Sequence, residues 1–273
     1  MTLISNVAGT AFVVAEFRAE ENFKEHPLYR DPVVAVFLDA ESKRAADRIF
    51  ASFPPVKTNV VVRTRYLDDR LDAQLQSGFR QVVILGAGLD TRAQRKARTG
   101  VAYFEIDDGA TLRFKQERLR EKGIEPGAAY IPGDYVAEDL AALLSGAGLD
   151  FSLSTHFIWE GNTMYLSAAA VTRVLSSIAQ NLPRFSLSFD YMPPEVIAKA
   201  TGDAEITALV ERFAAMGAPW TYGLSDVENL AERIGARVAD RFTLAEFHRR
   251  YWPDKTPQSQ LFDYYTLSTL EAG

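Results

Sequence analysis

A continuous apolar stretch that runs into a glycine turn limits the folds open to this 273-residue chain. Residues 82–85 read Val-Val-Ile-Leu, and three of the four are β-branched. Such an unbroken run is typical of a strand that is buried on both faces, as in a parallel sheet covered by helices. The run ends at Gly86 and Gly88, where the missing side chains let the backbone bend tightly and approach a ligand. From about Thr91 the composition favours a helix, so the stretch predicts a strand, a turn and a helix start.

This turn also predicts a nucleotide-type site, because polar groups of a ligand can bind at the turn and at a helix N-terminus. The next apolar segment, 101–106, ends at Asp107 and Asp108. An acid about twenty residues after the glycines is where a ribose diol is held. However, the third glycine of the G-x-G-x-x-G fingerprint is replaced by Thr91, and Asp90 lies inside the loop. An acidic loop suits adenosine without a pyrophosphate better than it suits NAD, which points to S-adenosylmethionine.

Composition excludes several classes of function. Apolar residues make up 47% of the chain and charged residues 24%, as in an ordinary soluble globular protein. The formal net charge of −6 argues against a nucleic-acid partner, because neutralising phosphates needs a basic face. The absence of cysteine excludes disulfides, thiolate metal sites and a cysteine nucleophile, and three scattered histidines predict no metal cluster. No run has the length of a membrane span and the N-terminus lacks a basic segment, so we expect no membrane association and a cytoplasmic location.

The order of predicted elements divides the chain in two. Residues 1–78 are predicted to form a helical N-terminal cap or lid, although this segment could merely cover a sheet edge. Residues 79–273 are predicted to form the core, in which strands and helices alternate as in a parallel sheet with right-handed crossovers. The predicted helices are 11–23, one opening near Pro32, 59–76, 92–98, 109–122, 137–144, 167–181, 197–216, one capped by Ser225 and running to 234, and 244–252. The predicted strands are 81–85, 101–106, 129–132, 151–159, 185–189, 237–242 and 261–270, and an aromatic loop at 217–223 is predicted to contact substrate.

Nine short blocks, distributed over almost the whole chain, carry a resemblance to a known family. They are residues 5–11, 18–20, 31–32, 63–69, 81–92, 104–107, 159–161, 164–166 and 217–219. The most specific are Leu-Gly-Ala-Gly-Leu-Asp-Thr-Arg, at 85–92, and Trp-Glu-Gly followed by Met-Tyr-Leu, at 159–166. The chain resembles the leucine carboxyl methyltransferase family, and more closely its bacterial branch of small-molecule O-methyltransferases, to which the polyketide carboxyl methyltransferases belong.

The resemblance implies an α/β fold: a Rossmann-like, seven-stranded sheet of S-adenosylmethionine-dependent methyltransferases, with helices on both faces and an antiparallel last strand. It also implies roles for single residues. Arg63 would pair with the methionine carboxylate of the cofactor, Glu160 would lie near its amino group, and Asp107 would take the ribose hydroxyls. Gly86 and Gly88 would line the methionyl-ribose side, and Asp134 with Tyr135 would face the adenine. Ala87, Asp90 and Asp108 are further candidates for cofactor binding. An arginine fork matches a carboxylate, and an acid accepts diol hydroxyls, so the chemistry agrees.

Several of these residues have structural alternatives. Arg63 lies in a charged patch, 63–70, of the kind that usually forms a solvated salt-bridge face. His156 is the only histidine near the predicted active edge and is therefore the candidate base, but it lies in an apolar strand where a core histidine is common. Tyr165, Tyr191 and Trp220 are candidates for the acceptor pocket, although aromatic residues at such positions usually belong to the core.

The predicted function is an S-adenosylmethionine-dependent O-methyltransferase of a small-molecule, secondary-metabolite-like acceptor. A carboxylate acceptor is favoured because it is ionised at neutral pH and needs no base, whereas a phenol with a pKa near 10 would be helped by one. A hydroxyl or phenol acceptor and a protein C-terminal carboxylate remain alternatives. An NAD-linked oxidoreductase and a non-catalytic nucleoside-binding domain are the alternatives from other classes. The oligomeric state is left open.

Overall fold

A computed structural model describes the chain over residues 7–273, without the side chains of residues 7–9 and 52. The first two residues of the block at 5–11 therefore lie outside the described residues. None of the described helices is both long enough and apolar enough to cross a membrane.

A seven-stranded mixed sheet forms the centre of the molecule. Its strand order is β3-β2-β1-β4-β5-β7-β6; β1 to β5 run parallel, and β7 is antiparallel to both of its neighbours. The strands are β1 Gln81–Leu85, β2 Ala102–Asp107, β3 Ala129–Pro132, β4 Thr155–Trp159, β5 Phe185–Tyr191, β6 Arg237–Thr243 and β7 Thr266–Ala272. This confirms the predicted fold class. The unbroken apolar run lies in β1, at the middle of the parallel strands, where every residue is buried.

Helices cover both faces of the sheet. They are α1 Val7–Glu21, α2 Ala40–Ser52, α3 Pro55–Gln76, α4 Arg92–Arg95, α5 Gly109–Glu121, α6 Leu140–Gly146, α7 Ala168–Asn181, α8 Pro194–Ile197, α9 Ala204–Ala215, α10 Val227–Arg233, α11 Leu244–Tyr251 and α12 Leu261–Tyr264. Two short 3₁₀ turns lie at Val34–Phe37 and Thr163–Tyr165.

The core consists of two layers, because neighbouring side chains of a strand point to opposite faces. Val82 and Ile84 of β1 lie on one face, in a cluster with buried residues of α3, α9 and α11. Val83 and Leu85 lie on the other face, in a cluster with residues of α6, α7 and α10. The alternation along β1 therefore explains why both faces of the sheet need a helical layer.

The three N-terminal helices pack on one another and on the turn after β1. Val13 and Phe17 of α1 lie in one apolar cluster with Ala45 and Ala46 of α2. On another side, α1 shares a cluster with Leu89 of the turn. The helix α3 also packs along the sheet face. The N-terminal helices thus lie next to the loops that follow the parallel strands.

Two N-terminal predictions were wrong. The second helix, expected from Pro32, is only a 3₁₀ turn over Val34–Phe37. The helix α2 was not predicted at all, although Asp39 and Ser42 form a capping box at its start, each side chain pairing with the other's backbone N–H.

The last third differs from the prediction at three boundaries. The single helix expected at 197–216 is two helices, because Lys199 has a left-handed φ of 58° and Asp203 caps a new helix. The cap of α10 is Asp226, which accepts a hydrogen bond from the Asn229 N–H, and not the predicted Ser225. The strand expected over 261–270 begins as α12 and becomes extended only at Thr266.

Candidate active site

A cavity of about 540 Å³ lies where the parallel strands β1, β2 and β4 end. Parallel strands present their carboxyl ends at one edge of the sheet, which is where ligands bind in folds of this kind. The structure brings all ten residues that were predicted to hold a cofactor to the wall of this cavity. They are Arg63, Gly86, Ala87, Gly88, Asp90, Asp107, Asp108, Asp134, Tyr135 and Glu160. Their individual roles remain predictions.

Glycine is required in this turn for two reasons, the backbone conformation and the close approach of a neighbouring side chain. Gly86 and Gly88 have φ of 63° and 48°, in the left-handed region that side chains disfavour. A Cβ on Gly86 would lie 2.7 Å from the Asn162 side chain, whose Nδ2 donates to the Glu160 carbonyl oxygen at 2.7 Å. Asn162 therefore lies over the turn, and both Asn162 and the turn line the cavity.

Asp107, at the tip of β2, is tied to the same turn. Its carboxylate accepts hydrogen bonds from the N–H groups of Gly88 at 2.6 Å and Asp108 at 2.7 Å. Burial raises the pKa of Asp107, and the two backbone N–H groups oppose the rise only in part. An ionised carboxylate has about four acceptor positions. Positions therefore remain on Asp107 for the hydroxyls of a ribose in the cavity.

Glu160 follows β4 and lies between two arginines. Its Oε1 accepts from Arg63 Nε at 2.9 Å and its Oε2 from Arg92 Nη1 at 2.8 Å. Burial alone would raise the pKa of Glu160, but Arg92 and Arg63 outweigh burial and hold the pKa below its usual value. The carboxylate is therefore ionised in a nearly enclosed place, where it suits an ammonium group of a ligand.

Arg63 of α3 is buried, with 7% of its surface exposed, so a solvated salt-bridge face is the wrong description of this residue. Its Nη1 donates to the hydroxyl of Tyr265 at 2.8 Å and approaches Asp190 Oδ2 at 3.4 Å. Asp190, the next-to-last residue of β5, is fully buried, and burial raises its pKa. Among the described residues, none accepts a hydrogen bond from Arg63 Nη2, so this nitrogen retains donors that a ligand could use.

A buried arginine at the start of α4 stabilises the loop around the turn. Arg92 is fully buried and contacts three carboxylates, those of Asp68, Asp90 and Glu160. Asp90 also accepts a hydrogen bond from the Arg92 backbone N–H at 2.6 Å, and Arg92 keeps the pKa of Asp90 low against the effect of burial. Sequence reasoning missed Arg92, Asp68 and Asp190. The first two lie in the blocks that resemble the family, which was the available signal.

The far end of the cavity is lined by Asp134 and Tyr135. Asp134 accepts from the N–H groups of Val136 and Ala137 at 2.9 and 3.1 Å, which leaves its second oxygen without such contacts. Tyr135 is fixed because its hydroxyl accepts from Trp159 Nε1 at 3.0 Å. A rigid ring beside an exposed carboxylate suits a flat heterocycle with an amino group.

A second, apolar cavity of about 100 Å³ adjoins the first. The two cavities share four lining residues: Thr10, Val14, Arg63 and Gly161. Helices α1, α2, α3 and α9 supply most of the apolar wall. Two of the three predicted acceptor residues, Tyr165 and Trp220, line this second cavity.

Two predicted residues lie away from both cavities. Tyr191 is buried in β5 and stacks on Phe189, with ring centroids 5.4 Å apart. His156 is fully buried in β4, where it pairs with Val82 and Ser186 of the neighbouring strands. Burial, with repulsion from Arg92 and Arg70, lowers its pKa to about 3, so the imidazole is neutral. The fold therefore gives His156 no route to a substrate proton.

Comparison with solved structures shows the class of fold. A candidate methyltransferase of Thermobifida fusca YX superposes with a TM-score of 0.63 at 15% identity, covering 94% of this chain and 93% of that one. Magnesium protoporphyrin IX methyltransferase of Synechocystis PCC 6803, solved with bound S-adenosylmethionine, superposes with a TM-score of 0.50 at 12% identity, covering 96% and 97%. The sheet order and these neighbours define the fold as that of the seven-stranded methyltransferases.

Comparison of sequences shows the family. The model of leucine carboxyl methyltransferases matches residues 11–179, so the chain belongs to the leucine carboxyl methyltransferase family. A candidate S-adenosyl-L-methionine-dependent methyltransferase of Frankia alni is 38% identical over 185 residues, which cover 64% of each chain. One of Streptomyces coelicolor is 38% identical over 194 residues, covering 64% of this chain and 65% of the relative. The match thus spans just under two thirds of these relatives. The family and the relatives confirm the prediction of S-adenosylmethionine as the cofactor.

Proposed function

We propose that the protein is an S-adenosylmethionine-dependent O-methyltransferase that methylates a carboxylate of a small organic acid. The observation that carries the proposal is the junction of two unlike cavities at Arg63 and Gly161. One cavity is lined by the polar ends of strands and the other by apolar side chains. A methyltransferase needs this pairing, because a polar donor and its acceptor have to meet at one point.

The residues of the larger cavity fit the donor. Asp107 would accept hydrogen bonds from the ribose hydroxyls, Asp134 and Tyr135 would hold the adenine, and Glu160 would face the methionyl ammonium. The free Nη2 of Arg63 would take the methionyl carboxylate. When bound, S-adenosylmethionine supplies a methyl group already activated on a sulfonium, and the bonding electron pair stays on sulfur as an acceptor oxygen takes the methyl. The chain itself has to orient the acceptor and exclude water.

The choice of a carboxylate acceptor follows from the side chains at the junction. No histidine is among the described residues that line either cavity. A carboxylate is ionised at neutral pH and attacks without giving up a proton, whereas a phenol would be helped by a base.

The N-terminal helices and the 217–223 loop are proposed to form the lid over this acceptor. Thr10 and Val14 of α1 line both cavities, and Trp220 of the loop lines the smaller one. The proposed cap, residues 1–78, thus helps to decide which acceptor fits, while residues 79–273 carry the donor site.

Two measurements test the proposed function. Thermal-shift titrations and calorimetry with S-adenosylmethionine, S-adenosylhomocysteine, NAD and NADP should show binding of the first two only, since a ligand that binds the folded state stabilises it. Methyl transfer from labelled S-adenosylmethionine to a panel of free acids, phenols and C-terminal peptides should then yield methyl esters of free acids. Binding of NAD alone would identify an oxidoreductase instead. Binding of none of the four ligands would favour a non-catalytic domain. Formation of methyl ethers from phenols would contradict a carboxylate acceptor.

A further inference from the structure

An asparagine amide in the wall of the smaller cavity has no hydrogen-bond partner. Asn59 belongs to α3, lines this cavity and has only 7% of its surface exposed. Among the residues that the structure describes, none forms a hydrogen bond with its side-chain amide, and both amide atoms keep accessible surface. Buried polar groups are nearly always paired, because leaving one unpaired costs free energy. A polar group of a ligand in the cavity would remove that cost.

The position of Asn59 in α3 directs its side chain towards the cavity. Four residues of this helix line the cavity at spacings of three or four: Val56, Asn59, Val60 and Arg63. Residues so spaced lie on one face of a helix. Asparagine is a poor helix former at an interior position, and the two valines beside it provide apolar surroundings. The amide therefore lowers the stability of the free protein, which a bound ligand would offset.

The rest of the wall restricts the ligand group that meets Asn59. The wall is largely apolar, with side chains such as those of Phe17 and Leu209. Among the described residues that line it, only Arg63 is charged, and Arg63 is already paired with Glu160. A charged group beside Asn59 would be buried without a counter-ion, which costs far more than burying a neutral group. Since an amide both donates and accepts hydrogen bonds, it suits an uncharged hydroxyl or carbonyl oxygen.

Asn59 lies one helical turn from Arg63, where the two cavities meet. Four residues of an α-helix span about 6 Å along its axis. In the proposed function the reacting carboxylate lies at this junction, because the donor and the acceptor have to meet there. A group that contacts Asn59 is therefore separated from the carboxylate by several bonds of the acceptor.

We propose that Asn59 is a specificity-determining residue, and that the acceptor is a carboxylic acid whose apolar body carries a hydroxyl or carbonyl oxygen about 6 Å from the carboxylate. The Asn59 amide forms a hydrogen bond with this oxygen, and the apolar wall holds the rest of the body. This inference rests on the proposed function and adds a recognised group on the acceptor to it.

The substitution Asn59→Leu tests this role, because leucine has nearly the same shape and removes both the donor and the acceptor. Suitable substrates are hexanoate and phenylpropanoate, each with derivatives that carry a hydroxyl or carbonyl oxygen at successive positions. In the wild type we expect kcat/KM to be about tenfold higher for the best derivative than for its parent acid. In Asn59→Leu this preference should disappear, and the parent acid should become the better substrate. Affinity for S-adenosylhomocysteine should be unchanged, since Asn59 does not line the larger cavity.

Thermal unfolding of the ligand-free protein gives a readout that needs no substrate. Asn59→Leu should unfold at a higher temperature than the wild type, because it removes an unpaired amide and adds apolar contacts. The matched control is Asn229→Leu, which replaces an exposed asparagine of α10 outside both cavities. This control reports the effect of helix propensity alone and should leave the substrate preference unchanged.

Different results would overturn different statements. A lower unfolding temperature for Asn59→Leu than for the wild type would show that the amide stabilises the free protein, and would reject the inference. Equal kcat/KM for parent acids and their derivatives in the wild type, with methyl esters still formed, would reject the recognised oxygen and leave the proposed function intact. Methylation of none of the acids by protein that binds S-adenosylhomocysteine would reject this class of acceptor. Failure to bind S-adenosylhomocysteine at all would reject the proposed function and, with it, this inference.

Discussion

Two acids at strand ends, Asp107 and Glu160, have pKa values shifted in opposite directions. Burial raises the pKa of Asp107, whose polar contacts are neutral backbone N–H groups. Glu160 is also removed from water, but its two arginine partners more than compensate and lower its pKa. The arginines thus widen the pH range over which Glu160 is ionised, whereas burial narrows that range for Asp107. The direction of the pKa shift of a buried acid therefore depends on the groups that contact it.

Substituting Asp107 with Asn tests the role of its charge. Asparagine retains one oxygen to accept from Gly88 or Asp108, but it loses the ionised acceptor for the ribose hydroxyls. We expect the dissociation constant for S-adenosylhomocysteine to rise about ten- to hundredfold, as when hydrogen bonds to a charged group are lost. Isothermal calorimetry measures this directly.

The matched control for Asp107→Asn is Asp139→Asn. Asp139 caps α6 by accepting from the Ala141 and Ala142 N–H groups, and it does not line the larger cavity. Asparagine is an equally good N-cap, so affinity and stability should change little. Equal affinities of Asp107→Asn and the wild type would remove Asp107 from the cofactor site.

At the scale of elements, one buried ion pair joins strand β2 to helix α5. Glu105 and Lys115 have no exposed side-chain surface, and the Lys115 ammonium contacts the Glu105 carboxylate. Burial raises the pKa of Glu105 to about 7 even with Lys115 beside it. Removing one partner of such a pair is strongly destabilising, because the other charge is left buried and alone.

The variant Lys115→Met should therefore lose stability in a pH-dependent way. The folded pKa of Glu105 lies above its ordinary value of 4.5, so its protonated form favours the folded state. That contribution is complete below about pH 4.5 and is lost as pH rises through 7. Without Lys115 the effect is larger, and we expect a loss of roughly 3–5 kcal/mol at pH 8 that shrinks towards pH 5. Urea unfolding across this pH range measures the difference.

The double variant Lys115→Met/Glu105→Gln supplies the control, because it removes both charges. The free energy of unfolding of the double variant, relative to the wild type, should not fall steeply above pH 7 as it does in the single variant. A single variant whose stability loss is the same at pH 5 and pH 8 would show that cavity formation, and not the unpaired carboxylate, causes the loss.

At the scale of the whole molecule, the features predicted from sequence were those encoded by local pattern. The apolar run at 82–85 predicted β1, and the acids after β1, β2 and β4 meet at one edge because parallel strands end together. The partners of Arg92 could not be found this way, since Asp68 and Glu160 are distant in sequence and only the fold brings them together. The helix α2 was missed although its signal is local: the capping pair Asp39 and Ser42 precedes a segment with helical periodicity.

The N-terminal helix α1 lines both cavities, so binding of the cofactor should change the dynamics of α1. Arg18 of α1 donates to the Leu89 carbonyl at 3.3 Å and to Thr91 Oγ1 at 2.6 Å, and Ala11 and Val14 line the larger cavity. A ligand that rigidifies the turn after β1 should therefore rigidify α1 as well. We expect S-adenosylhomocysteine to slow amide hydrogen exchange in α1 and in residues 160–166.

Strand β6 and helix α10 provide the internal reference for this exchange measurement, because none of their residues lines the larger cavity. Stabilisation by a ligand present at 100 times its dissociation constant amounts to about 2.7 kcal/mol for global unfolding. For amides that exchange only through global unfolding, this free energy slows exchange equally everywhere in the protein. Exchange through local openings slows only where the ligand stabilises the structure. Extra protection confined to the sheet, with none in α1, would contradict a coupling between the N-terminal helix and the cofactor, and the lid would have to be sought in the 217–223 loop instead.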